Sequence, residues 1–243
     1  MAGSVRLLCG ALGSGKTTYA IREIVSLAAV ERSRVFVTNI DVKPPLKELL
    51  GRRLICLEYS QVPRFYAHCP RGSCIYLDEG TIHFDARQAM RRSRSESDEL
   101  TAYLTHARKF GDDLTIIAHA FEHIDKRVRD FVSLYCWLTS TRRILRSLGC
   151  PGADRIPEFF IVRDYLDEEC LQHVHSHLVR SSSSLWQYFD SYAVTTAGAL
   201  ERLAAIDVAE SEWESGSPAR GSFRWRTAAL VAVVTALGVG VLV

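Results

Sequence analysis

The sequence predicts an α/β fold: a mainly parallel sheet covered by helices on both faces. Three observations lead there. Short apolar runs rich in β-branched residues, such as Val5–Cys9 and Leu114–Ala118, alternate with helix-spaced segments, the signature of strands buried on both sides. A chain of 243 residues is long enough for one large domain with its own core plus a tail. Hydrophobic residues at 47% and charged residues at 24% sit at ordinary globular proportions, so most of the chain is expected to fold.

Taken in order, Val5–Cys9 is an apolar strand bounded by Gly10. Thr17–Ala29 carries Ala20, Ile21, Ile24, Val25, Leu27 and Ala28 at helical spacing. Arg34–Thr38 and Arg53–Leu57 read as strands, and the Pro44-Pro45 pair between them favours an extended loop. Cys74–Leu77 is a buried strand ending at Asp78, and residues 86–109 are polar, Arg-rich and helical in character. Leu114–Ala118 is again a strand, Asp125–Phe131 a short helix, and further strands lie near Leu134–Leu138 and Phe159–Val162. The pattern then changes, which divides the chain into a first domain over 1–165, a helical extension over 166–208 and a linker over 209–226.

The segment Thr227–Val243 has no charged residue. At ~1.5 Å per residue it extends ~26 Å, close to the ~30 Å hydrocarbon core of a bilayer, and is expected to be a transmembrane helix. Arg220, Arg224 and Arg226 precede it, which places the N-terminal domain in the cytoplasm as a single-pass membrane protein. A buried C-terminal core helix is the alternative.

The formal net charge of +2 excludes a uniformly basic nucleic-acid binder, although Arg is dense at Arg91, Arg92 and Arg94 and at Arg142, Arg143 and Arg146. The first run is a candidate contact for DNA phosphates. Seven scattered cysteines without a Cys-x-x-Cys pair suit a reducing compartment and offer no zinc-ribbon spacing. The N-terminus has no signal-peptide pattern. His173, His175 and His177 share a face only on a strand; an exposed helix face explains them more simply than a metal site.

Gly10-x4-Gly15-Lys16-Thr17 has the full P-loop spacing, after a strand and at the start of a helix. Backbone N–H groups over Gly10, Ala11, Leu12, Gly13, Ser14, Gly15, Lys16, Thr17 and Thr18 would cradle the phosphates of ATP. Lys16 would neutralise the β- and γ-phosphates and Thr17 would ligate Mg²⁺. Asp78 supplies the metal-side carboxylate, and Glu79 can orient and activate an attacking water. His119, at the end of Leu114–Ala118, is the candidate γ-phosphate sensor. Arg127 and Arg129 are candidate arginine fingers acting across a subunit boundary, with Arg87 as competitor.

Three stretches carry a family resemblance: Gly10-Ala-Leu-Gly-Ser-Gly-Lys-Thr-Thr18; Tyr76-Leu-Asp-Glu-Gly80 with Phe84 and Arg87; and His106-Ala-Arg108 through Ile124-Asp-Lys-Arg127-Val-Arg129. Together they resemble the zonula occludens toxin (Zot) family, which includes the inner-membrane assembly ATPases of filamentous phages. The resemblance covers residues 5–140 and, weakly, Tyr188–Tyr192. It implies a homo-oligomeric ATPase, a hexamer being one arrangement. Its site would lie on the cytoplasmic face of the host inner membrane, where it would extrude single-stranded phage DNA beside other assembly or coat proteins. Lys16, Thr17, Asp78 and Glu79 carry over by motif position, whereas the family commonly has Gln where His119 stands. Three alternatives differ in class. A DNA-packaging ATPase of the FtsK/HerA type shares the Walker residues. A small-molecule kinase of the thymidine kinase kind would bring a Cys-x-x-Cys pair that this chain lacks. A membrane-anchored structural subunit would bind nucleotide without turnover.

Overall fold

The computed structural model describes residues 3–85, 94–153 and 156–190, all within one compact unit. Among these residues an eight-stranded sheet runs in the order β3-β2-β4-β5-β1-β6-β7-β8. Its strands are β1 (Ser4–Cys9), β2 (Phe36–Thr38), β3 (Leu54–Cys56), β4 (Cys74–Leu77), β5 (Asp113–Ala118), β6 (Leu134–Ser140), β7 (Phe159–Tyr165) and β8 (His173–Arg180). All neighbours from β3 to β6 pair in parallel. Strands β7 and β8 extend that core as an antiparallel pair.

β1 lies in the middle, between β5 and β6, and Leu7, Leu8 and Cys9 are fully buried. Helix α1 (Lys16–Val30) covers one face with Tyr19, Ala20, Ile21, Ile24 and Ala28, a stripe that meets Leu8, Phe36, Leu138 and Phe160. The other face carries Leu7, Ile75, Leu77, Leu114 and Ile116. Helix α4 (Arg94–Phe110) closes it with Leu100, Tyr103, Leu104 and Ala107, and Val128 of α5 (Lys126–Arg129) joins them. Asp112, a polar group placed inside, is paired: it accepts from the Ser73 N–H and the Tyr103 hydroxyl, both at 3.0 Å.

The Pro44-Pro45 pair does not form an extended loop. It opens helix α2 (Pro44–Leu50), with proline in the first turn. Proline breaks a helix interior, but its missing N–H is unneeded at a helix start, and its fixed φ already suits one.

The helical extension over 166–208 is also corrected where it is described, because His173–Arg180 is β8. His173-Val-His-Ser-His177 begins the edge strand of the sheet, which is exposed at its first three residues and buried at Val179. The sheet therefore continues past the boundary set at 165, through a hairpin between β7 and β8. The chain then returns to the α1 face: Phe189 bridges to Val42 and is fully buried.

The single-pass inner-membrane placement is overturned: among the described residues no helix is long and apolar enough to cross a membrane. The stretch 227–243, on which that expectation rested, lies outside the described residues, as do the linker 209–226 and Arg87, Arg91 and Arg92.

Candidate nucleotide-binding site

The carboxyl ends of β1, β4 and β5 meet at one corner of the sheet, and the chemistry-bearing residues of the sequence gather there. β1 ends at Cys9, and residues 10–15 curl back to start α1. The curl needs glycine at two points: Gly13 has φ 70° and Gly15 has φ 87°, a region costly for other residues. Gly10 is required for a different reason. A Cβ there would lie 2.4 Å from the Leu138 carbonyl oxygen of β6.

Inside the curl the Lys16 ammonium is 8% exposed and donates to the carbonyls of Gly10 at 2.8 Å and Ala11 at 3.1 Å. Burial depresses its pKa, while the Asp78 carboxylate pulls the other way. Ser14 is 1% exposed, and its Oγ is buried without a hydrogen-bond partner. A glycine-rich loop at a helix start with a buried ammonium and an orphaned hydroxyl is matched to a polyanion such as a triphosphate.

Across the corner, the Thr17 hydroxyl donates to Asp78 Oδ2 at 2.6 Å. Hydroxyl and carboxylate are the hard oxygen donors that Mg²⁺ takes beside phosphate, so the residues present fit a magnesium nucleotide. The metal, when bound, supplies charge neutralisation at the phosphates.

The next residue, Glu79, is exposed and sits at φ 52°, with its N–H bonded to Asp78 Oδ1 at 2.8 Å. Desolvation and the neighbouring Asp78 charge raise its carboxyl above the ordinary 4.5. Helix α3 (Gly80–His83) follows at once, and Gly80 permits it: a Cβ there would lie 2.3 Å from the Ile116 side chain of β5.

His119 follows β5, and its Nδ1 lies 3.5 Å from the Lys16 ammonium. Lys16 has only protons to offer, so this contact selects the tautomer protonated on Nε2. Burial, then the Lys16 charge, lowers the imidazole pKa and favours the neutral ring.

The model of the family described as zonular occludens toxin (Zot) matches residues 4–196. The chain belongs to the Zot family. The crystal structure of the N-terminal domain of zonular occludens toxin from Neisseria meningitidis superposes with a TM-score of 0.51 at 16% identity, covering 78% of this chain and 100% of that one. That likeness is one of fold. The genome packaging NTPase B204 of Sulfolobus turreted icosahedral virus 2, in complex with ATP-gammaS, gives a TM-score of 0.43 at 15% identity over 67% of this chain and 92% of that one. The KaiC-like protein PH0186 from Pyrococcus horikoshii OT3 gives 0.42 at 13% over 74% and 90%. No curated protein matches the chain.

In this Zot-family chain the arginines expected as fingers are engaged close to home. Arg127 donates to both oxygens of Asp125, at 3.1 Å from Nε and 2.7 Å from Nη2 to Oδ2 and at 3.3 Å from Nε to Oδ1. Arg129 donates to the Ile124 carbonyl at 3.0 Å and pairs with Glu168. The histidines of β8 do not assemble a metal site. His175 and His177 stack with centroids 5.4 Å apart, and the described residues contain no group of three His, Cys, Asp or Glu able to hold a metal.

Two contributors escaped the sequence reading. Asn39, just after β2, brackets the Asp78 peptide: its Oδ1 accepts from the Asp78 N–H at 2.7 Å and its Nδ2 donates to the Asp78 carbonyl at 3.0 Å. Phe160 of β7 fills the space beneath the loop, and a Cβ on Gly15 would lie 2.2 Å from its ring. The position of Asn39 at a parallel strand's carboxyl end was the signal available for it.

Proposed function

We propose that this Zot-family chain is an Mg²⁺-dependent ATPase that works as a homo-oligomer and drives extrusion of single-stranded phage DNA during virion assembly. The observation that carries the ATPase reading is the 2.6 Å contact between Thr17 and Asp78 beside the buried Lys16. It brings together, at the mouth of the loop, two oxygen donors from residues 61 positions apart. Lys16 neutralises the β- and γ-phosphates, Thr17 and Asp78 hold the metal, and Glu79 orients and activates water. The raised Glu79 carboxyl supports that role, since a base works best with a pKa nearer the working pH. His119, in contact with Lys16, reports the γ-phosphate. Arg127 and Arg129 act from a neighbouring subunit after exchanging their present partners.

The DNA cargo and the phage assembly partners rest on family membership. Steady-state ATP hydrolysis by the full chain, alone and with single- or double-stranded DNA, tests both levels. Turnover stimulated most by single strands is expected. Stimulation by duplex alone favours a packaging motor, and no turnover under any condition removes the ATPase reading.

A further inference from the structure

The Arg142, Arg143 and Arg146 cluster has no part in the site as described so far. It lies on α6 (Thr141–Ser147), and the start of that helix is fixed to the sheet. The Ser140 hydroxyl accepts from the Arg143 N–H at 3.4 Å and donates to Glu158 at 2.6 Å, while Thr141 Oγ1 accepts from the Phe159 N–H at 3.0 Å. β6 and β7 therefore set the position of Arg143. From there its guanidinium donates to the Leu12 carbonyl, at the lip of the P-loop.

Among the described residues no carboxylate pairs with the Arg143 guanidinium, which donates to the Leu12 carbonyl. Arg127 sits on Asp125, Arg129 on Glu168, and Arg142 lies 3.8 Å from Glu158. Between α6 and the loop opens a cavity of about 240 Å³, lined by Leu12, Gly13, Arg142, Arg143, Arg146 and Glu158. Arg143 reaches across it to the loop, and the Nε of Arg142 is buried there without a partner among the described residues. An anion seated between Arg143 and the loop would supply the missing counter-charge.

We propose that this cavity is a second phosphate-binding subsite, in which Arg143 contacts the phosphate chain of a nucleoside triphosphate held by the P-loop of the same chain. The proposal rests on the nucleotide-binding reading above. It adds a cation in cis, from an element that the expected fingers do not include.

Binding of ATP and of inorganic tripolyphosphate to the full chain tests it, with Arg143→Ala, Arg143→Gln and Arg143→Lys variants of unchanged circular dichroism. Loss of one charge-assisted contact should weaken both ligands by about tenfold or more in Arg143→Ala and Arg143→Gln, with partial recovery in Arg143→Lys. Wild-type affinity in Arg143→Gln overturns the proposal, because glutamine can still donate to the Leu12 carbonyl but carries no charge. Weakening of ATP alone, with tripolyphosphate unaffected, also overturns it and moves the contact to the nucleoside. At ATP concentrations below saturation, mixing Arg143→Ala with Lys16→Ala subunits should give no more turnover than Arg143→Ala subunits alone, and restoration toward the wild-type rate refutes action within one chain. If the wild-type chain binds neither ligand, the nucleotide reading itself has failed, which is a separate result.

Discussion

The Thr17 hydroxyl and the Asp78 carboxylate meet at 2.6 Å, joining the start of α1 to the end of β4. The two groups that would share a metal thus hydrogen-bond to each other directly, and metal entry has to replace that bond. Asp78→Asn retains an acceptor for the hydroxyl but removes the charge. We expect its melting temperature to stay within a few degrees of wild type. Its turnover should fall by about a hundredfold or more, with a higher Mg²⁺ requirement, as seen by titrating the metal in an ATPase assay. Chelating Mg²⁺ from the wild-type protein should stop turnover.

Glu79→Gln should bind ATP and stall. A wild-type rate in that variant rejects the water-activating role. The pH profile gives an independent check. A base works only when deprotonated, and the Glu79 carboxyl lies above its ordinary 4.5. Activity should therefore be lost on acidification at a pH above that value, and the limb should vanish from the residual rate of Glu79→Gln.

Asn39→Ala removes both hydrogen bonds that bracket the Asp78 peptide. At about 1 kcal/mol for each bond, stability should drop by about 2 kcal/mol, or several degrees of melting temperature. Turnover should fall further than nucleotide affinity, because the displaced group is the proposed metal-side carboxylate and not part of the phosphate cradle. Asn39→Asp keeps the acceptor for the Asp78 N–H but loses the donor, and its placement of charge beside Asp78 should raise the Mg²⁺ requirement less than Asp78→Asn does.

These residues also show how far the sequence could be read. The run from β1 through the loop into α1 was visible because its signals are local: an apolar strand, glycines at fixed offsets and a helical stripe. Asp78-Glu79 was visible for the same reason. Asn39 and Arg143 were not, because their partners lie 39 and 131 positions away and meet only once the strand order brings the strand ends together. The direction of β7 was hidden too. Phe159–Val162 reads as a strand whichever way it runs, and only pairing with β6 makes it antiparallel. In β8 the polar composition of an exposed edge strand fits a polar helix equally well, and in α2 the position of the prolines matters more than their presence.

Arg129→Ala should act on the fold as well as on any neighbouring site. It loses the Glu168 partner and the bond to the Ile124 carbonyl; Glu168 is exposed and stays solvated, so the cost falls on the lost contacts of Arg129. A double-mutant cycle of Arg129→Ala with Glu168→Ala, read by urea denaturation, should show coupling of about 0.5 kcal/mol or more. Arg127→Ala removes the ion-pair partner of Asp125, whose side chain is only 9% exposed, so it should destabilise the fold as well as impair hydrolysis in the assembled oligomer.

Gly15 faces two constraints that can be separated experimentally. Its φ of 87° is strained for any other residue, and a Cβ would collide with the Phe160 ring at 2.2 Å. Gly15→Ala should therefore lose nucleotide binding and destabilise the protein. Pairing it with Phe160→Leu relieves only the collision. Backbone strain at residue 15 persists in the double variant, and with it the misdirection of the loop N–H groups that α1 and the curl aim at the phosphates. We expect the double variant to regain part of the stability lost by Gly15→Ala while ATP binding stays weak, as measured by thermal melts alongside nucleotide titration. Full recovery of binding in the double variant shows instead that Phe160 alone dictates the glycine, and that the loop tolerates a side chain at its left-handed turn.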